Sequence, residues 1–203
     1  MTELDELLES LEREASQEKS PAETPDVGIV MGSDSDLDTM YGAYEALTEL
    51  GFTEVTGEDT PENRFTFETY VVSAHRTPDL MYAYADTARE RGIEVIIAGA
   101  GGKSADLPNM TASIAFPIPV IGVPVQEKSV DSVIGMPTGA PIVAVDAGKS
   151  FNAALSAVQI LAREHEELSE RLLEYHDALS EDVGRVSQEL HEQGTEAFRE
   201  QQE

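Results

Sequence analysis

A chain of 203 residues is long enough to bury one good core, so a single domain with extensions is the natural expectation. Forty acidic residues against 13 basic ones give a formal charge of -27, whose summed field repels nucleic acid and anionic membranes, so neither is an expected partner. The lack of cysteine removes disulfides, thiolate chemistry and cysteine-based metal sites.

Residues 2–18 carry Leu4, Leu7, Leu8 and Leu11 at helical spacing, and the polar "SQEKSPAETPD" follows. Residues 1–25 are therefore expected to be an acidic helical extension on a tether. From Asp26 short apolar runs alternate with helix-length segments: "VGIVMG", "DLDTMYGAYEALTELG", "TFETYVVSA", "PDLMYAYADTARERG" and "IEVIIAGA". The series continues with a short helix around "LPNMTASIAF", then "PVIGVPV", "PIVAVDA" and "KSFNAALSAVQILAREH". Such alternation predicts an α/β domain over residues 26–163 with a mostly parallel sheet covered on both faces. Asp36 is placed to cap the helix after the first strand, Pro78 suits a first helical turn, and Gly51 and Gly92 suit helix C-termini.

The insertion "TGEDTPENRF", residues 56–65, reads as an acidic surface loop. Beyond His165, apolar Leu168, Leu172, Leu173 and Leu179 mark further Glu-rich helices over residues 164–203, and their stripe predicts oligomer packing. His165, His176 and His191 in these helices read as solvated. The acid excess is not confined to a tail, since residues 27–163 hold 18 acidic and 8 basic side chains. A surface this acidic suits concentrated salt, where screening shortens self-repulsion, and a halophilic cytoplasm is the expected setting. The N-terminal "MTELDELLESLERE" lacks the basic-then-apolar order of a signal peptide, and no run of about 18 apolar residues spans a membrane.

In open parallel sheets the strand carboxyl ends meet helix N-termini, and ligands bind there. Three segments put unusual residues at that edge. In "MGSDSDLD" the chain turns at Gly32 and offers the Ser33 and Ser35 hydroxyls for a phosphate and Asp36 for a ribose diol, although a plain Ser/Asp capping cluster reads equally well. In "VVSAHRTPDL" Ser73 and Arg76 suit phosphate, since the guanidinium fork bonds two oxygens at once, and His75 can move a proton near neutrality. An isolated loop histidine is more often merely satisfied than catalytic, but His75 is the only histidine in residues 27–163. In "AGAGGKSADLPNM" Gly99, Gly101 and Gly102, with Ala100 between them, let a flat ligand or another backbone approach; a tight structural turn carries similar weight.

The spacing matches neither a dinucleotide fingerprint nor a P-loop. No metal-ligand pattern and no serine-hydrolase elbow occurs, so metal ligands are not expected. What remains is a phosphorylated small molecule held by Ser33, Ser73 and Arg76, with its reacting part near His75 and residues 99–102.

Together, "VMGSDSD", "VVSAHRTPD", "VIIAGAGG", "LPNMTA", "PVIGVPVQ" and "NAALSAVQILA" resemble the N5-carboxyaminoimidazole ribonucleotide mutase family, the catalytic subunit of phosphoribosylaminoimidazole carboxylase in de novo purine synthesis. The resemblance covers roughly residues 27–163. It implies a flavodoxin-like three-layer α/β/α fold with a central parallel sheet, helical extensions at both ends, and a homo-octamer. It also implies a ribonucleotide substrate and carboxylate migration from the exocyclic nitrogen to ring carbon C4, without cofactor. Carried over, Ser33 and Arg76 hold the phosphate with help from Ser73, Asp36 holds the ribose, and His75 is the acid/base. The segment 103–109, "KSADLPN", departs from the pattern: it is one residue longer, with Asp106 where a histidine falls and Asn109 for a glycine. That departure keeps a relative in view that carboxylates aminoimidazole ribonucleotide with free carbon dioxide. A nucleotide-binding regulator of the same fold is the non-enzymatic alternative, though it has no use for His75 as an acid/base.

Overall fold

The computed structural model describes residues 2–20, 23–57 and 63–201. Six parallel strands form one sheet in the order β2-β3-β1-β4-β5-β6. They are β1 (Val27–Met31), β2 (Thr53–Glu54), β3 (Thr66–Val71), β4 (Val95–Ala100), β5 (Val120–Pro124) and β6 (Val143–Ala144). The helices are α1 (Glu3–Ala15), α2 (Leu37–Glu49), α3 (Pro78–Thr87), α4 (Leu107–Ile114), α5 (Val130–Ile134), α6 (Ser150–Leu161), α7 (Glu166–Gln193) and α8 (Thr195–Glu200). Without the two-residue edge strand β2, the order is 2-1-3-4-5, the flavodoxin-like arrangement.

β1, β4 and β5 are buried at every position, as strands covered on both faces must be. Alternate side chains feed two separate cores. Val27, Ile29, Met31, Val95, Ile97, Ile121 and Val123 pack with α2, α6 and Leu168 of α7, whereas Val30, Ile96, Ala98 and Val120 pack with α1, α3 and α4. The chain leaves β1 for β3 on one side and reaches β4 on the other, so a crevice opens between the loops that follow β1 and β4.

Several expectations change. The N-terminal helix, expected as an extension on a tether, packs on the domain: Leu11 is fully buried in the α3-side core, with Leu4 and Leu8 packed against it. The segment at 56–65 is not wholly a surface loop. Phe65 is buried beside Phe52, and Asn63 donates to the Gly51 carbonyl at 2.7 Å; residues 58–62 lie outside the described set.

His165 is not simply solvated, because its ring meets Phe65 edge-on at 5.2 Å. α7 is anchored where Arg171 donates to the Leu50 carbonyl at 2.8 Å, at the electronegative end of α2. Leu168 is buried, while Leu173, Leu179 and Val183 are exposed farther along the helix. Among the described residues no helix is long and apolar enough to cross a membrane.

Candidate active site

A cavity of about 310 Å³ lies at the carboxyl edge of the sheet, at the crevice beside β1 and β4. Its first wall is the turn after β1. Ser33 accepts hydrogen bonds from the Ser35 N–H at 3.3 Å and the Ser35 hydroxyl at 3.1 Å, so it caps the short 3-10 turn that leads into α2. Asp36 occupies the N-cap position of α2, but its side chain makes no capping bond.

Instead the Asp36 carboxylate lies near the backbone N–H groups of Ser33 and Gly101, which favour its charged form. Burial pushes its carboxyl pKa up, against the opposing pull of those N–H groups and of the Arg76 charge. A Cβ at Gly101 would lie 3.1 Å from Asp36 Oδ1, so a side chain there would crowd this contact. Gly102 has φ +87°, a conformation that favours glycine.

The second wall comes from the turn between β3 and α3. Ser73 is buried; its hydroxyl accepts from the Arg76 N–H at 3.2 Å and from Arg76 Nε at 3.4 Å. The Ser73 N–H donates to the Thr77 hydroxyl at 2.9 Å, which pins the turn before Pro78 starts α3. His75 projects into the cavity mouth with 61% of its side chain exposed.

The structure thus brings Ser33, Ser35, Asp36, Ser73, His75, Ala100, Gly101 and Gly102 onto one cavity. Two expected residues stand apart. Arg76 is outside the cavity wall, its guanidinium donating to the Gly32 carbonyl at 2.9 Å. Gly99 lies within β4, where a Cβ would meet Met40 Sδ at 2.1 Å, so it serves the packing of α2 and does not face the cavity.

Other wall residues escaped the sequence reading. Gln126 and Lys128 follow β5 at the same sheet edge, and Ser104 lies in the lengthened loop after β4. The rule that finds ligands at strand carboxyl ends applies equally to "VPVQEK" and was the available signal. Asp106 also lines the cavity, and its Oδ2 lies 3.1 Å from His75 Nε2. The site therefore offers hydroxyls, one buried carboxylate, cations at Lys128 and nearby Arg76, and an imidazole paired with a second carboxylate.

A family model described as AIR carboxylase matches residues 26–182, more than half of the chain. The chain belongs to the AIR carboxylase family. Within that family, the N5-carboxyaminoimidazole ribonucleotide mutase of Thermotoga maritima is 42% identical over 185 residues, covering 88% of this chain and 99% of that protein. The mutase of the same name from Bacillus subtilis is 46% identical over 174 residues, covering 82% and 98%. The crystal structure of Treponema denticola PurE matches with a TM-score of 0.67 at 22% identity, covering 82% of this chain and 98% of that one, and thereby shows the shared fold.

Proposed function

We propose that this AIR carboxylase family member is an isomerase of purine biosynthesis that converts N5-carboxyaminoimidazole ribonucleotide into 4-carboxy-5-aminoimidazole ribonucleotide. The observation that carries the reading is the meeting of His75, Ser33, Asp36 and Ser73 on one cavity in a chain 42% identical to such a mutase along 88% of its length.

The substrate phosphate is taken up by the hydroxyls of Ser33, Ser35 and Ser73 with the charge of Arg76, and Asp36 accepts from the ribose hydroxyls. The base lies against the side-chain-free backbone of residues 100–102. His75 donates a proton to the exocyclic nitrogen as the N–carboxylate bond breaks, and carbon dioxide is released inside the cavity. Ring carbon C4 then attacks the carbon dioxide, and His75 takes the C4 proton, so the proton count closes without a cofactor. Holding both fragments at one site replaces a bimolecular recapture by an intramolecular one.

The same reading places the catalytic unit at residues 26–163, with 1–25 as a helical extension and 164–203 as helices for oligomer packing. Exposed Leu173, Leu179 and Val183 on α7 suit contacts between copies in a homo-octamer, and the charge of -27 suits a cytoplasm rich in salt.

Purified protein supplied with N5-carboxyaminoimidazole ribonucleotide is expected to form the C4-carboxylated product. His75→Asn is expected to lower turnover by at least about 100-fold while substrate still binds, as loss of general acid/base catalysis predicts. Wild-type turnover in that variant would contradict the role of His75, and binding without conversion by the native protein would favour a regulator.

A further inference from the structure

The two unusual residues at the start of α4, Asp106 at its N-cap and Asn109 in its first turn, are joined in space through a third. Asp106 holds the N-cap position of α4, yet its carboxylate makes no bond to that helix. Its Oδ2 lies 3.1 Å from His75 Nε2, and its Oδ1 accepts from the Ser132 hydroxyl at 3.4 Å. The carbonyl of the same Ser132, in α5, accepts from the Asn109 side-chain amide at 2.6 Å. Asn109 thus ties α4 to α5, Ser132 orients the carboxylate, and the carboxylate meets the imidazole.

We infer that Asp106 is the positioning residue of this site, keeping a hydrogen on Nε2 of His75 throughout, so that Nδ1 is the nitrogen that gives a proton from the imidazolium and takes it back on the neutral ring. A carboxylate accepts and does not donate, so a neutral imidazole bonded to it carries the hydrogen on the bonded nitrogen. The other charged side chains of the wall, Asp36 and Lys128, and the neighbouring Arg76 have no hydrogen bond or ion pair to the His75 ring. The pair is 61% and 43% exposed, and ion pairs so open to solvent add little to stability. Its consequence is the orientation and tautomer of His75. The inference rests on the mutase reading, which gives His75 a proton to move.

Asp106→Asn retains the shape but presents an amide that can donate to Nε2, which reverses the tautomer of the neutral ring. Because Asp106 acts through His75, the variant is expected to lose part of what His75 supplies, about 10- to 100-fold in kcat. KM is expected to stay within about threefold, since the loss falls on the chemical step. Asp106→Glu is expected to restore part of the lost rate, and Ser132→Ala to reproduce part of the loss.

The deciding readout needs no substrate. With nitrogen-15-labelled histidine, of which the chain has four, NMR of His75 at a pH where it is neutral is expected to show hydrogen on Nε2 in the native protein and on Nδ1 in Asp106→Asn. An unchanged tautomer, or an unchanged kcat in an enzyme that converts its substrate, would overturn the inference. Failure of the native protein to convert N5-carboxyaminoimidazole ribonucleotide would instead overturn the mutase reading, so the two failures are distinct.

Discussion

Two polar clusters lie against the same strand, β1, and one is sealed while the other is open. On the α3 side Gly28 leaves room for Tyr84, whose hydroxyl oxygen would lie 2.2 Å from a Cβ at that position. Arg91 sits 4.7 Å over the Tyr84 ring, donates to Glu68 at 2.8 Å and is approached by Glu14 of α1 at 3.7 Å. Its side chain is 1% exposed. At the strand's carboxyl end Gly32 and Gly101 leave room for Asp36, and the space beyond is the cavity. The sealed cluster spends its charges on itself, so its residues should carry stability. The open cluster has donors and acceptors that line the cavity, so its residues should carry binding and chemistry.

The sharpest way to break this contrast is at Arg91. Arg91→Met removes the partner of buried Glu68 and is expected to cost about 3–5 kcal/mol. Urea unfolding measures it; a cost below about 1 kcal/mol would mean that Glu68 finds water or protonates freely and that the cluster is not sealed. Leu11→Ala comes next. If α1 is part of the core, as its buried leucine indicates, the loss is about 2–3 kcal/mol by the same measurement, at the lower end for such truncations because a surface helix can settle into the gap.

The smallest effect belongs to the open cluster. Burial raises the Asp36 carboxyl above its ordinary value, so in the window above that value the folded state binds more protons than the unfolded one. The associated stability is full below the unfolded pKa and is lost as pH rises through the folded one. Thermal melts of Asp36→Asn against the native protein should therefore move in the variant's favour as pH rises from the ordinary carboxylate value toward neutrality, while ribonucleotide binding weakens. A gap that does not change with pH would show that the carboxylate is not desolvated.

Much of the fold was legible because the strands are unbroken apolar runs separated by helix-length segments: "VGIVM" and "VIGVP" read directly as buried parallel strands. β2 was not, since two residues carry no period, and α5 is too short for one. Phe65 reads as part of a loop because acidic residues precede it, although "RFTFE" already alternates as a strand does.

At the site, the strand-end rule points to the walls from β1, β3 and β4, and it applies equally to Gln126 and Lys128 after β5. Asp36 reads from sequence both as a cap, because capping is a local property, and as a ribose ligand. Its side chain makes no capping bond and lies beside the Gly101 backbone, which the pairing of β1 with β4 brings close. Asp106 is visible as a departure, but its contact with His75 depends on α3 and α4 starting from the ends of β3 and β4, the two strands that flank β1, which spacing along the chain does not express.

The most direct test is a carbon-label assay on the purified protein in concentrated potassium chloride. One arm supplies N5-carboxyaminoimidazole ribonucleotide in the presence of labelled bicarbonate; the other supplies aminoimidazole ribonucleotide with the same label. The account predicts rapid conversion in the first arm with little label in the product and slow reaction in the second. Product formed only from aminoimidazole ribonucleotide, and carrying the label, would contradict the mutase and make the protein a carboxylase that uses free carbon dioxide.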